Sequence, residues 1–400
     1  MSWIKVKKIF TILLINVFVF HFFWVVIELV YFFNNPLNRE SFRITCNYDW
    51  VMYGYCPNAI DVKKNTDSDG GNFVFTYTND IGQRVKNRSA EYSSHPDHVF
   101  VGDSFIQAEE MDFSEPFYGR LYDAGFQVSA IGYSSWNVIE YREAINKLAH
   151  EGTNYHVFLM PNDINPNYHR SVYKEKLKNP LRIIDTKDIS FKDKVLRVYG
   201  NSLTKKVLDL RNALYEKTEV NTLAEVNTLE PISTNLFENK HAMDCQPLLE
   251  LDELQKNALG FDYAVFSKNS SCWPQLHVDA VNQAVEELEL LFNDVKKLNS
   301  TLRVYMIPPG WAFVDQNTGG RKGNSYYFFD NMTRVTTDSL TKYLAERLPN
   351  IDFISLESLM SNWMLECTNC KDLFYFSDDG HWTPETHRRI ADYLEHSFPH

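Results

Sequence analysis

Five short apolar runs, separated by helix-like stretches, constrain this chain more than any other feature. They are His98 to Val101, Phe126 to Ile131, Tyr155 to Met160, Leu302 to Ile307 and Ile351 to Ile354. Trp136 to His150 reads as a helix from the spacing of Val138, Tyr141, Ile145 and Leu148. Gln275 to Lys297 is strongly amphipathic, and Thr333 to Leu348 and Pro384 to Phe398 complete the helical set. Strands that alternate with helices imply a parallel sheet covered on both faces, an α/β class. Active residues in such sheets lie at the carboxyl ends of the strands. With 400 residues, 44% of them hydrophobic, the chain can bury a sizeable core. It reads as one large domain or a domain with a substantial insertion.

The N-terminus sets the expected compartment. Lys5, Lys7 and Lys8 precede an almost wholly apolar run from Ile9 to Phe33, broken by Asn16, His21 and Glu28. At about 1.5 Å per residue this run spans a hydrocarbon core of about 30 Å. The lysines come first, so the N-terminus is expected in the cytoplasm and the remainder outside. A cleaved signal peptide is the alternative, but the run is long for one and no small-x-small site follows it. Six cysteines, at 46, 56, 245, 272, 367 and 370, all follow the run. An even number in an exported domain reads as disulfides, and proximity suggests Cys46–Cys56, Cys245–Cys272 and Cys367–Cys370. Cys367-Thr368-Asn369-Cys370 is alternatively a redox or zinc half-site, without a second Cys-x-x-Cys to complete it.

The expected organisation is residues 1–33 as stub and anchor, 34–95 as a stalk with a small β segment, and 96–400 as the main domain. Phe73 to Thr78 reads as a strand and Asn79-Asp80-Ile81-Gly82 as a turn. An insertion occupies about 166–274, and within it Glu-Val-Asn-Thr-Leu nearly repeats at 219–223 and 225–229. Net charge is −12, with no basic stripe to neutralise phosphates, so no nucleic-acid partner is expected. Aromatic residues make up 14% of the chain; they could line a sugar-binding cleft or simply fill a Phe-rich core. No phosphate loop, metal-binding signature or dinucleotide fingerprint stands out, so no cofactor and no metal are expected.

Two motifs carry chemistry. Val99-Phe100-Val101-Gly102-Asp103-Ser104-Phe105 is an apolar strand running into Gly-Asp-Ser and a helix. Ser377-Asp378-Asp379-Gly380-His381-Trp382-Thr383-Pro384 places carboxylates just ahead of a histidine, before another helix. A serine nucleophile needs a base, and the base needs a carboxylate to hold its tautomer. Ser104 is the nucleophile candidate; a serine N-capping the helix is the plainer reading. His381 is the candidate base, and His387 its competitor inside the last helix. Asp379 and Asp378 are the candidate acids, with Asp379 favoured.

These residues resemble the SGNH (GDSL-like) hydrolase family, over roughly His98 to the C-terminus. Gly102-Asp103-Ser104-Phe105 matches the first family block. Ala130-Ile131-Gly132-Tyr133-Ser134-Ser135-Trp136 stands for the second, with Ser135 where many relatives have glycine. Phe158-Leu159-Met160-Pro161-Asn162-Asp163-Ile164 stands for the third, with Pro161 where glycine is usual. Asp378-Asp379-Gly380-His381-Trp382 looks like the version in membrane-anchored members tied to polysaccharide O-acetylation. The resemblance implies a flavodoxin-like, three-layer α/β/α domain with a parallel sheet. It implies an oxyanion hole from Ser104, the Gly132–Ser135 loop and Asn162. It also implies an esterase or O-acyltransferase acting on acyl, foremost acetyl, esters of a glycan, with a multi-pass membrane acyltransferase as a partner class. The rival is a non-catalytic protein of this fold that binds a glycan or scaffolds a polysaccharide-modification complex.

Overall fold

The apolar runs pair into one parallel sheet. The computed structural model describes residues 15–16, 19–20, 22–28, 30, 45–46, 48–51, 53–64, 73–164, 275–308, 337–365, 374–376 and 381–398. The chain divides into two units, Met1–Phe42 with Ile184–Asn227, and Arg43–Ile183 with Thr228–His400. Every strand among the described residues lies in the second unit. There β1 (Thr45–Cys46) pairs antiparallel with β2 (Gly54–Tyr55), and β3 (Ile60–Lys64), β4 (Phe73–Thr78) and β5 (Arg84–Val85) form an antiparallel sheet. The strand and turn expected at 73–82 are both present. Asn79 holds the turn by accepting the N–H groups of Ile81 and Gln83 on its side-chain oxygen.

The central sheet contains β6 (His98–Gly102), β7 (Val128–Gly132), β8 (Asn154–Leu159), β9 (Thr301–Met306) and β10 (Asp352–Ser355). Its spatial order is β10-β9-β8-β6-β7, all neighbours parallel. Counted from β6 this is 2-1-3-4-5, the flavodoxin-like doubly wound order. The direction of winding reverses between β6 and β8, so the loops leaving those two strands flank a crevice.

Seven labelled helices accompany the sheet: α1 (Ser104–Gln107), α2 (Phe117–Asp123), α3 (Val138–Leu148), α4 (Gln275–Lys297), α5 (Thr337–Arg347), α6 (Leu356–Leu365) and α7 (Pro384–Ser397). Alternate residues of each strand point to opposite faces. Val99, Val101, Val157 and Val304 pack with Ile145 of α3, Leu288 of α4 and Leu344 of α5. Phe100, Phe158 and Tyr305 pack on the other face with Phe117 of α2, Met360 of α6 and Leu394 of α7. The result is three layers.

Helix α4 matches its expected span, whereas α3 is shorter at both ends than Trp136–His150. Asn137 caps it by accepting the Ile139 N–H, Glu140 reaches back to the Asn137 N–H, and Ala149 turns left-handed at φ 45°. That capping box and αL stop outweigh the hydrophobic spacing beyond them. Cys46 and Cys56 are disulfide-bonded. The other four cysteines and the 166–274 insertion lie outside the described residues. Of the apolar run Ile9–Phe33, residues 15–16, 19–20, 22–28 and 30 are described, and all are helical. Among the described residues no helix is long and apolar enough to cross a membrane.

Candidate active site

Chain geometry at the end of β6 exposes one serine. Asp103 leaves the strand and caps α1, its carboxylate accepting the Phe105 N–H at 3.0 Å. The cap is therefore Asp103, and Ser104 occupies the first helical position. Its half-buried hydroxyl lies 3.4 Å from Asp103 Oδ2. Burial pushes the Asp103 carboxyl up to about 6, against the Phe105 N–H and the nearby His381, which pull it down. Glycines let α1 sit tight on the strand ends. A Cβ at Gly102 would lie 2.5 Å from Ile106 Cγ1, and one at Gly132 would lie 2.7 Å from the Gly102 carbonyl oxygen.

The loop after β7 supplies the second wall. Ser134 donates its N–H to Gln107 Oε1 at 2.8 Å, which ties the loop to α1. Ser135 has φ 65°, the left-handed region, which costs a residue with a Cβ about 1–2 kcal/mol. That conformation explains physically why glycine suits this position. The strain is held from outside: the Tyr53 hydroxyl donates to the Ser135 carbonyl at 3.2 Å, and Trp136 Nε1 donates to the Tyr53 carbonyl at 2.7 Å.

The third wall follows β8. Pro161–Ile164 is a 3-10 turn carrying Asn162. Pro161 opens it, where a fixed φ near −65° is an advantage and no amide hydrogen is needed. Buried Asp163 locks the turn by accepting the Met160 N–H at 2.8 Å and the Tyr141 hydroxyl at 2.7 Å. Burial, then the neighbouring Asp103, hold the Asp163 carboxyl well above the ordinary carboxylate range.

His381 arrives from the C-terminal end of the chain. Its carbonyl accepts the Phe376 N–H at 2.9 Å, and Thr383 N–H donates to the Phe374 carbonyl at 3.1 Å, an antiparallel bridge around Tyr375 and Trp382. Fully buried Trp382 packs edge-on against Phe105 and Phe158. The His381 ring consequently rests on Phe105, the residue after Ser104, with centroids 5.2 Å apart. Its Nδ1 lies 3.7 Å from Glu110 Oε1. Asp378 and Asp379 lie outside the described residues. His387 is committed elsewhere: it is buried, stacks on Phe117 and accepts the Phe117 N–H on Nδ1 at 3.2 Å. Burial lowers its pKa to about 3, as that acceptor role requires.

Ser104, Gly132, Ser135 and Asn162 thus stand at the carboxyl ends of three adjacent strands, and His381 is brought to the α1 side of them. Gly132 serves close packing. Sequence reasoning missed Glu110 and Gln107. Their signal was proximity, six and three residues past Ser104, but nothing in the sequence marks Glu110 as the buried member of the Glu109-Glu110 pair. Among the described residues no cluster of three or more His, Cys, Asp or Glu side chains could hold a metal ion.

No family model and no curated protein matches the chain. Among solved structures, the YxiM protein of Bacillus subtilis aligns at 10% identity and a TM-score of 0.35, covering 76% of this chain and 57% of its own. This chain therefore spans little more than half of that protein. A Streptococcus pneumonia protein provisionally described as a platelet activating factor aligns at 10% identity and a TM-score of 0.33, covering 76% of this chain and 84% of its own. The functional reading rests on the chain's own residues.

Proposed function

We propose that this chain is an SGNH-type serine esterase or O-acyltransferase acting on acyl esters, acetyl foremost, of an extracytoplasmic glycan. One observation carries the proposal: Ser104, the strained Ser135 loop and the Asn162 turn meet at the switch point of a 2-1-3-4-5 sheet, with His381 packed beside the nucleophile's helix.

In this reading Ser104 Oγ attacks the acyl carbonyl while His381 takes its proton. The oxyanion that forms is met by the N–H groups of Ser104 and Ser135 and by the Asn162 amide. His381 then gives the proton to the departing sugar oxygen, leaving an acyl-Ser104 ester. Water or a second sugar hydroxyl attacks that ester, loses its proton to His381 and frees Ser104. Hydrolysis and transfer share the first half, so the second acceptor alone distinguishes them. Asp379, or Asp378, is the proposed carboxylate from the 378–381 loop. The membrane anchor belongs to the same proposal: Lys5, Lys7 and Lys8 precede the apolar run, and its described helical residues Phe20, Phe22, Phe23 and Val30 are exposed. A multi-pass acyltransferase is the partner class this arrangement fits.

The test is labelling of the full chain in detergent with a fluorophosphonate, beside hydrolysis of p-nitrophenyl acetate. Labelling at Ser104 and loss of both signals in Ser104→Ala are expected. A Ser104→Ala protein with the wild-type rate, or a wild type inert toward the probe and every acetyl ester, refutes the enzyme reading and leaves the glycan-binding scaffold.

A further inference from the structure

The turn that follows the nucleophile helix is held by a buried cation. Arg84, at the start of β5, is 3% exposed. Its Nη1 donates to the carbonyls of Gln107, at 3.1 Å, and Ala108, and its Nη2 donates to the carbonyl of Met111. A guanidinium presents its donors in a rigid planar fork, so three carbonyls from one turn fix that turn as a unit. Ala108 adopts φ 46°, the left-handed stop of α1, which sends the chain back past the site. Glu110 lies inside the clamped turn. Its side chain is 4% exposed, and its Oε1 lies 3.7 Å from His381 Nδ1.

From this geometry we infer that Glu110 is a positioning residue for His381: a buried carboxylate, fixed by the Arg84 clamp, that faces Nδ1 and favours the imidazolium formed when Nε2 takes the Ser104 proton. The inference rests on the proposed Ser104–His381 chemistry and adds a carboxylate that the Asp378/Asp379 motif does not contain. A carboxylate beside Nδ1 is the arrangement that holds an imidazole in the tautomer with Nε2 free to accept. Burial sharpens the effect, because the charge interaction is screened less than at a surface. Among the described residues, the titratable groups facing His381 are Glu110 and Asp103 from the α1 arm and His387 from α7. Asp103 caps α1 and its carboxylate also interacts with His381, and His387 is held neutral by burial; Glu110 is the carboxylate placed 3.7 Å from Nδ1.

The experiment compares the full-length wild type with Glu110→Gln, Glu110→Asp, Asp378→Asn, Asp379→Asn and Ser104→Ala. The readouts are kcat and KM for p-nitrophenyl acetate from pH 5 to 9, with thermal unfolding alongside. Removing the triad carboxylate's charge costs about 10⁴-fold in kcat. Glu110→Gln, which removes a carboxylate at 3.7 Å, is expected to lower kcat by about 10²-fold with KM little changed. It should also move the acid limb of the profile to lower pH, because a negative charge that favoured protonated His381 is gone. Glu110→Asp keeps the charge and should retain the limb while losing part of kcat. A Glu110→Gln profile superimposable on the wild type overturns the inference. So does a variant that loses activity only in proportion to its folded fraction. If Glu110→Gln does not fold, Glu110→Asp decides: reduced kcat with the wild-type limb supports the role, and a wild-type kcat refutes it. A dead Ser104→Ala beside a fully active Glu110→Gln sinks this inference alone. An active Ser104→Ala, or an inert wild type, removes the functional reading and this one with it.

Discussion

Adding one methyl group at Gly102 should damage both stability and rate, and the damage should depend on one side chain. The Cβ of alanine there would sit 2.5 Å from Ile106 Cγ1 and 3.0 Å from the Phe158 carbonyl oxygen. Carbon pairs rest at about 3.5–4.0 Å, so the first contact is about 1 Å too close. Phe158 belongs to the paired strand β8 and cannot retreat, so α1 must move. Overpacking of this kind costs about 1–3 kcal/mol. Ser104 rides on α1, and a misplacement of about 1 Å costs on the order of 10²-fold in rate. Ile106→Ala alone removes a buried side chain and should cost about 2–5 kcal/mol. In the double variant the 2.5 Å contact is gone, so the losses should sum to less than additive by about 1–2 kcal/mol. Ile106→Val keeps Cγ1 and should give no such relief. Urea unfolding midpoints and p-nitrophenyl acetate turnover measure both effects. Gly102→Ala with an unchanged midpoint and rate, or a strictly additive double variant, would show that α1 does not press on the strand ends as described.

Asn162→Ala should lower kcat by about 10²–10³-fold yet leave a residual rate, because backbone donors remain; complete loss, as in Ser104→Ala, would contradict the division of roles. His387 has a folded pKa near 3 and an ordinary unfolded value of 6.5, so its contribution is full above pH 6.5 and is lost as pH falls toward 3. The slope is at most about 1.4 kcal/mol per pH unit. His387→Asn, which can still accept the Phe117 N–H, should flatten this acid dependence in chemical denaturation, and an unchanged slope would refute it. Replacing Cys46 and Cys56 by serine opens a loop of sequence separation 10 and should cost about 3 kcal/mol of stability, read by thermal unfolding without reductant; no change would assign the bond no structural weight. A topology reporter fused after His400 should be active only outside the cytoplasm, and cytoplasmic activity would overturn the anchor orientation.

Much of this architecture was legible because it obeys periodicity. All five core strands were readable as apolar runs, and Gln275–Lys297 as a helix from its amphipathic spacing. Helices α2 and α6 were not. Phe117–Asp123 is short and rich in buried aromatics, and Leu356–Leu365 starts directly where β10 ends, so neither offers a separate stripe. At the candidate site, Ser104, Asn162 and His381 could be singled out because each sits in a short motif beside a strand or helix. The strain at Ser135 was hinted at only by comparison with glycine in similar loops. Glu110 was illegible for a different reason: the turn that carries it is bonded by Arg84, 26 positions before Glu110, and no local pattern encodes that contact.

The segment ahead of the central sheet then acquires a role that its sequence did not suggest. It read as a stalk with a small β segment packing on the main domain. Yet two of its side chains reach the walls of the site, and a third reaches the strand that leads into one of them. Arg84 fixes the turn carrying Glu110, Tyr53 binds the carbonyl of strained Ser135, and Gln83 donates to Ser129 in β7 at 2.7 Å. Buried polar groups are costly unless they are satisfied, and a guanidinium especially so. An arginine spent on three carbonyls of one turn therefore implies that the turn's position matters. The Cys46–Cys56 bond closes the loop that presents Tyr53, so the same segment is covalently braced on the side facing Ser135. Helix α1, which carries Ser104, is only four residues long and has little rigidity of its own, since isolated short helices are marginal. Glycine packing beneath it, the Arg84 clamp beyond it and the Gln107–Ser134 bond beside it supply that rigidity from three directions. The preorganisation that the proposed oxyanion site demands is thus assembled largely from residues outside the motifs that suggest it.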